Sequence, residues 1–130
     1  MKLELLPRWR WSDADRVVEL EPHLLALLAA IGRGASLRTA AAEVGVSYRH
    51  AWGMLGRWSE RFGAPLVTMA RGRGTRLTPL GEALLSGERL IRERLTPLLE
   101  EAAGELEQRL AAVLEAGDDR LRLCASHRQP

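Results

Sequence analysis

Cysteine occurs once in the 130 residues, at Cys124. A single thiol closes no disulfide within the chain and builds no cysteine-based zinc site. Long apolar runs are missing too. The longest, Leu24 to Ile31, has eight residues, against roughly 20 for a helix that crosses a bilayer, so no membrane segment is expected. The N-terminus, MKLELLPRWRW, puts charge and tryptophan where a secretory signal needs an apolar stretch, and the expected location is the cytoplasm. Histidine is sparse and scattered, at His23, His50 and His127, which argues against a metal cluster. No carboxylate pair falls in an expected cleft, and no nucleophile has a histidine and an acid placed to activate it. GRGASL precedes a helix but lacks the lysine that a phosphate-cradling loop needs. No enzyme and no cofactor are expected.

Acids are missing from one part of the chain. From Arg33 to Pro79 there are eight arginines against Glu43 and Glu60, a net +6, whereas Leu80 to Pro130 carries seven arginines against ten acids, a net −3. Lysine is nearly absent as well, with Arg supplying 18 of the 19 basic residues. A GC-rich genome accounts for arginine over lysine. It does not account for a 47-residue window so poor in acids. That asymmetry points to a middle that binds a polyanion and a solvated, mildly acidic tail. The run Glu93, Glu100, Glu101, Glu105 and Glu107 reads as a solvated helix face.

What is present is a hydrophobic fraction of 46%, enough for one packed domain with an appended element. Residues 2–20, with the turn signal SDAD and the β-branched RVVEL, predict a short β-hairpin. Pro22 suits the first turn of a helix, and HLLALLAAIGRG is apolar around most of its surface, as a buried helix would be. Gly32 and Gly34 close it. Ser36 is placed to cap a second short helix, LRTAAAEV, which Gly45 ends. Ser47 caps a third, YRHAWGMLGRWSERF. Its apolar positions Ala51, Leu55, Trp58 and Phe62 step by 4, 3 and 4, the period of one helical face. Gly53 and Gly56 each weaken that helix by about 1 kcal/mol relative to alanine, and close packing against another backbone would be one reason to keep them. Leu66-Val67-Thr68 and Thr75-Arg76-Leu77 predict two short strands around an Arg-Gly tip. Thr78-Pro79 starts a long helical pattern ending near Ala116, with Pro97 either kinking it or starting a second helix. Gly117-Asp118-Asp119 closes it, and RLRLCAS reads as the opening of a strand.

A helix, a glycine turn and a second helix make the helix-turn-helix of DNA-binding proteins. Ala41 falls where the two helices pack closely. Gly45 supplies the turn, and Val44, Val46, Ala51 and Leu55 supply the locking patch. Ser47, Tyr48, Arg49 and His50 then occupy the first turn of a helix whose N-terminal end enters the major groove. Tyr48 and Trp52 are candidates to stack on sugars, with core packing the alternative. For Trp58 and Phe62, core packing is the expectation. RGRGTR alone also describes a solvated loop, but about ten residues beyond a recognition helix it sits where a winged helix has its wing. Arg71, Arg73 and Arg76 there could reach phosphates or a narrow minor groove. Ser36, Arg38, Thr39 and Arg57 complete the expected DNA-binding set.

Residues GASLRTAAAEVGVSYRHAWGMLGRWSERFGAPLVTMARGRGTRLTPLGEALL resemble the winged helix-turn-helix of LysR-type bacterial regulators. SYRHAW and the strand pair before the first helix are closer still to the N-terminal domain of the molybdate-responsive, ModE-like regulators. The resemblance covers roughly Met1 to Glu115. It implies a mainly α winged helix-turn-helix with an N-terminal β-hairpin, a β-wing and a long C-terminal dimerisation helix. It places Ser36, Thr39, Ser47, Tyr48 and Arg49 on the DNA side. The expected division is a DNA-binding domain over residues 1–79, a dimerisation helix over 80–116 and a tail over 117–130. The tail resembles the first strand and loop of a sensor domain like periplasmic binding proteins, with Ser126 where such domains begin their ligand site. Leu84, Ile91, Leu95, Leu98, Leu106, Leu110 and Val113 form the expected dimer seam. The resemblance thus implies a homodimeric transcription regulator of double-stranded DNA, linked to molybdate or tungstate as effector. The rival readings are a winged helix that binds protein and an oxyanion sensor shortened in this chain.

Overall fold

The computed structural model describes the backbone of residues 1–70, 72 and 74–128, and the side chains among them as far as Gly117. The element order is β1 (Arg10–Asp13), β2 (Arg16–Glu19), α1 (Pro22–Gly32), α2 (Leu37–Val44), α3 (Tyr48–Phe62), β3 (Val67–Ala70), β4 (Gly74–Leu77) and α4 (Pro79–Arg128). The chain divides into two compact units, one of Arg8–Ile91 and one of Met1–Pro7 with the chain from Arg92 on.

In the first unit, local signals set most boundaries. Pro22 starts α1 at a position where its missing N–H costs nothing. The side chains of Ser36 and Ser47 each accept a hydrogen bond from the backbone N–H three residues on, at Thr39 (3.1 Å) and His50 (3.0 Å). Gly45 and Gly63 close α2 and α3 in the left-handed region, at φ +86° and +82°, where a Cβ would be strained. The first hairpin begins only at Arg10, with Trp11 paired to Val18, so the hairpin expected within residues 2–20 leaves residues 2–9 outside its strands.

The core of this unit gathers Leu24, Leu27, Leu28 and Ile31 of α1, Leu37, Ala40 and Ala41 of α2, and Ala51, Met54, Leu55 and Trp58 of α3 around Leu66. Trp58 is wholly buried, and its indole N–H donates to Glu21 Oε2 at 3.2 Å, which satisfies the one polar atom that it carries inside. Trp11 stands edge-on to Phe62 with ring centroids 4.7 Å apart, so the hairpin closes one side of the core. Leu84 is half-buried against the same core.

Close packing does not explain the glycines of α3. A Cβ on Gly56 would meet nothing within 4 Å, and one on Gly53 would meet only the Arg57 guanidinium. The glycine that packing does require is Gly81, in the first turn of α4. A Cβ there would collide with the Leu66 carbonyl oxygen. The approach is fixed by two bonds at the same junction: Thr78 N–H donates to that carbonyl at 3.0 Å, and Thr78 Oγ1 accepts from Gly81 N–H at 3.1 Å.

In the second unit, residues 2–7 lie along α4. Leu3 N–H donates to Glu107 Oε1 at 2.6 Å. A cavity of about 500 Å³ lies between strap and helix, lined by Leu3, Leu5, Pro7, Leu99 and Ala103 among others. Ala103 is buried and Leu99 half-buried.

Two expectations about α4 are corrected. Pro97 neither ends the helix nor starts a second one: α4 runs through it. The proline removes one backbone bond, but its turn is exposed, where water can take the freed carbonyl. The helix also does not stop at Ala116. Gly117 lies within it, and the stretch RLRLCAS, expected as a strand of a sensor domain, is helical up to Arg128. One glycine costs about 1 kcal/mol in a helix, too little to stop a segment rich in leucine, alanine, glutamate and arginine. The Ser126 side chain lies outside the described residues.

Candidate nucleic-acid interface

Helices α2 and α3 meet at a turn built by backbone bonds. The N–H groups of Gly45 and Val46 both donate to the Ala41 carbonyl, at 2.9 and 3.0 Å. Ala41 and Ala51 are buried between the helices with Leu55, and Val44 and Val46 flank them half-buried. The angle between α2 and α3 therefore rests on small, shape-matched residues rather than on flexible ones.

The buried side of α3 is Ala51, Met54, Leu55 and Trp58. At 100° per residue the opposite side carries Arg49, Gly53, Gly56 and Glu60. Ser47, Tyr48, Arg49 and His50 are all exposed at the N-terminal end, and so are Ser36, Arg38 and Thr39 at the start of α2. No acid occurs in residues 36–39 or 47–52. Trp52 is off the buried side. It is 46% exposed and stands edge-on to Tyr48 with centroids 6.3 Å apart, so core packing is not its role.

The arginines of the basic window separate into those already engaged and those free to meet an anion. Arg33 pairs with Glu43 at 3.2 Å. Arg57, expected on the DNA side, instead pairs with Glu21 at 3.7 Å. It lines a cleft with Trp11, Asp13, Arg16, Glu60 and Arg61. Arg61 lies over the Trp58 ring, with Cζ 4.5 Å from its centroid. Arg38, Arg49 and Arg76 have no ion-pair partner among the described residues. Arg38 lies over the Tyr48 ring, Cζ at 4.7 Å from the centroid.

The expected wing is present as the antiparallel pair β3–β4, with Thr68 opposite Arg76 and Ala70 opposite Gly74. Gly72 and Gly74 both take positive φ, +76° and +71°, which closes the short tip. Arg76 is exposed on β4. Arg71 and Arg73, also expected to touch DNA, lie outside the described residues.

Sequence reasoning missed Glu21, which orients both Trp58 and Arg57, and it missed the Arg38–Tyr48 stack. Neither has a local signature. Glu21 and Trp58 are 37 positions apart, and only the fold makes them neighbours. Of the expected seam, Ile91, Leu98, Leu106, Leu110 and Val113 are exposed and Leu95 is half-buried.

Residues 22–82 match the family described as bacterial regulatory helix-turn-helix protein, lysR family. Over 79 residues the chain is 43% identical to the molybdenum-pterin-binding protein MopB of Rhodobacter capsulatus. Over 77 residues it is 42% identical to MopA, a molybdenum-pterin-binding protein of the same organism. These alignments take in 58% and 56% of this chain but only 29% of either relative. Among solved structures, Vibrio fischeri DarR in complex with DNA superposes with a TM-score of 0.54 at 18% identity, over 70% of this chain and 30% of that one. At that identity the likeness shows the fold, a winged helix-turn-helix.

Proposed function

We propose that this chain, whose residues 22–82 form a LysR-type helix-turn-helix, is a homodimeric transcription regulator that reads duplex DNA with the N-terminal end of α3. The observation that carries this reading is the acid-free, exposed surface formed by Ser36, Arg38, Thr39, Ser47–His50 and Trp52, set on a buried helix pair. Phosphate contacts from Arg38, Arg76 and the serine and threonine hydroxyls would fix the register. Arg49 is the residue best placed for a guanine edge, because a guanidinium there can donate to O6 and N7 together.

The dimer belongs to the same proposal. Exposed Ile91, Leu98, Leu106, Leu110 and Val113 recur along α4, and an apolar stripe of that length calls for a partner. The same helix of a second copy is the simplest one. The link to molybdate or tungstate rests on the likeness to MopB and MopA and assigns no effector site within this chain. Operator occupancy in cells that follows molybdate supply is the expected result, and occupancy indifferent to it removes that link.

The DNA reading is tested by selecting a preferred duplex and titrating it against random duplex over a range of salt. Arg49→Ala should cost about 1–3 kcal/mol on the selected site and little on random DNA. Arg76→Ala should weaken both alike and lower the salt slope by about 0.9. Binding that ignores salt, or no duplex binding at all, would favour a winged helix that docks protein.

A further inference from the structure

We infer that Tyr48 is a positioning residue for Arg38, holding its guanidinium so that the N–H edge faces a DNA phosphate. The inference rests on the DNA-binding reading above. Its basis is the way this arginine is held. Arg33 and Arg57 are held by carboxylates. The carboxylate offsets part of the guanidinium charge in each pair, and at Arg33 it also takes an N–H donor, so both arginines lose some of their attraction for an anion. Arg38 is held by a ring face instead, with Cζ 4.7 Å from the Tyr48 centroid. Stacking uses the flat face of the guanidinium and leaves the in-plane N–H groups free. The charge stays whole, and the long side chain loses rotamer freedom before DNA arrives rather than at binding.

The surroundings agree with that role. Tyr48 is the first residue of α3, and Trp52 one turn on stands edge-on to it, which limits rotation of the ring. Arg38 lies in the first turn of α2 beside the hydroxyls of Ser36 and Thr39, themselves bonded at 3.0 Å. The stack therefore ties the start of α2 to the start of α3, across the face where the two helix ends converge. Arg61 is a useful contrast. It also stacks, on Trp58, but it shares its cleft with Asp13 and Glu60 and is not isolated from acids.

The experiment measures fluorescence anisotropy of a labelled selected duplex at several salt concentrations. It compares wild type, Tyr48→Phe, Tyr48→Leu, Arg38→Ala and the Arg38→Ala/Tyr48→Leu double variant. Tyr48 and Arg38 are exposed, and circular dichroism checks that each variant is folded. Tyr48→Phe keeps the ring and should bind more tightly than Tyr48→Leu. Tyr48→Leu should bind about two- to five-fold more weakly, the range of an exposed cation–π contact, with the salt slope unchanged because the charge remains. Arg38→Ala should lower the slope by about 0.9, and adding Tyr48→Leu to it should change nothing further. If Tyr48→Leu binds normally, or weakens binding equally with and without Arg38, the positioning role is overturned. Tyr48→Phe binding as weakly as Tyr48→Leu assigns the effect to the hydroxyl rather than the ring and overturns it too. A wild type that shows no salt-dependent duplex binding overturns the DNA reading, and this inference with it.

Discussion

Glutamate at both Ile91 and Leu98 is expected to turn a micromolar dimer into a folded monomer. Both side chains are exposed in the single chain, 37% for Ile91 and 62% for Leu98. Neither is needed for the core of the winged helix, so the fold should survive. In a paired α4 seam, the same positions would bury two charges per subunit without partners, a large desolvation penalty. Loss of the dimer also removes the gain from binding two half-sites at once. With an effective concentration near millimolar, that gain is on the order of 10²–10⁴-fold. The variant should therefore keep weak half-site binding and lose nearly all of its advantage on a palindrome. Sedimentation gives the mass, and anisotropy on full and half sites gives the affinities. A wild type that sediments as a monomer would sink the dimer proposal, as would a double variant that binds the palindrome normally.

The second large effect is at Gly81. Alanine there should lower stability by about 2 kcal/mol. Overpacking a tight site costs about 1–3 kcal/mol, and here the obstacle is the Leu66 carbonyl, a backbone atom tied by Thr78 and unable to rotate away. The gain in helix propensity offsets at most about 1 kcal/mol of this. For a domain of this size, 2 kcal/mol is about 8–16 °C in the melting temperature. Gly56→Ala is the matched control. Nothing lies within 4 Å of its Cβ position, so that variant should melt a few degrees higher than wild type. Thermal unfolding of both variants decides the matter, and a Gly81→Ala protein as stable as wild type would show that α4 does not approach the Leu66 carbonyl as described.

The contrast between these glycines shows what a sequence can and cannot declare. Gly45 is legible because its reason is local: it follows a helical pattern and takes a left-handed φ. Gly53, Gly56 and Gly81 look alike on the page, and only the approach of another chain segment separates them. The capping serines Ser36 and Ser47 and the buried period Ala51, Leu55 and Trp58 were equally legible, because a cap acts over three residues and a helical face repeats every three or four. The C-terminal end of α4 was misread for a related reason. Gly117 is a break signal of about 1 kcal/mol and Pro97 one of about 3 kcal/mol, and a long run of good helix formers outweighs both.

The candidate DNA face divides in the same way. That Ser47 to His50 open the second helix of a helix-turn-helix in a basic, acid-poor window was determined by the sequence alone. So was the winged helix-turn-helix, since its turn, caps and strand pair are each encoded within a few residues. Which arginines stay free was decided only by the tertiary structure. Arg57 meets Glu21 because α3 crosses the start of α1, and Arg38 meets Tyr48 because the turn at Gly45 folds α2 back against α3. Charge is counted along the chain, but whether it is neutralised depends on distances through space, and those exist only once the helices have packed.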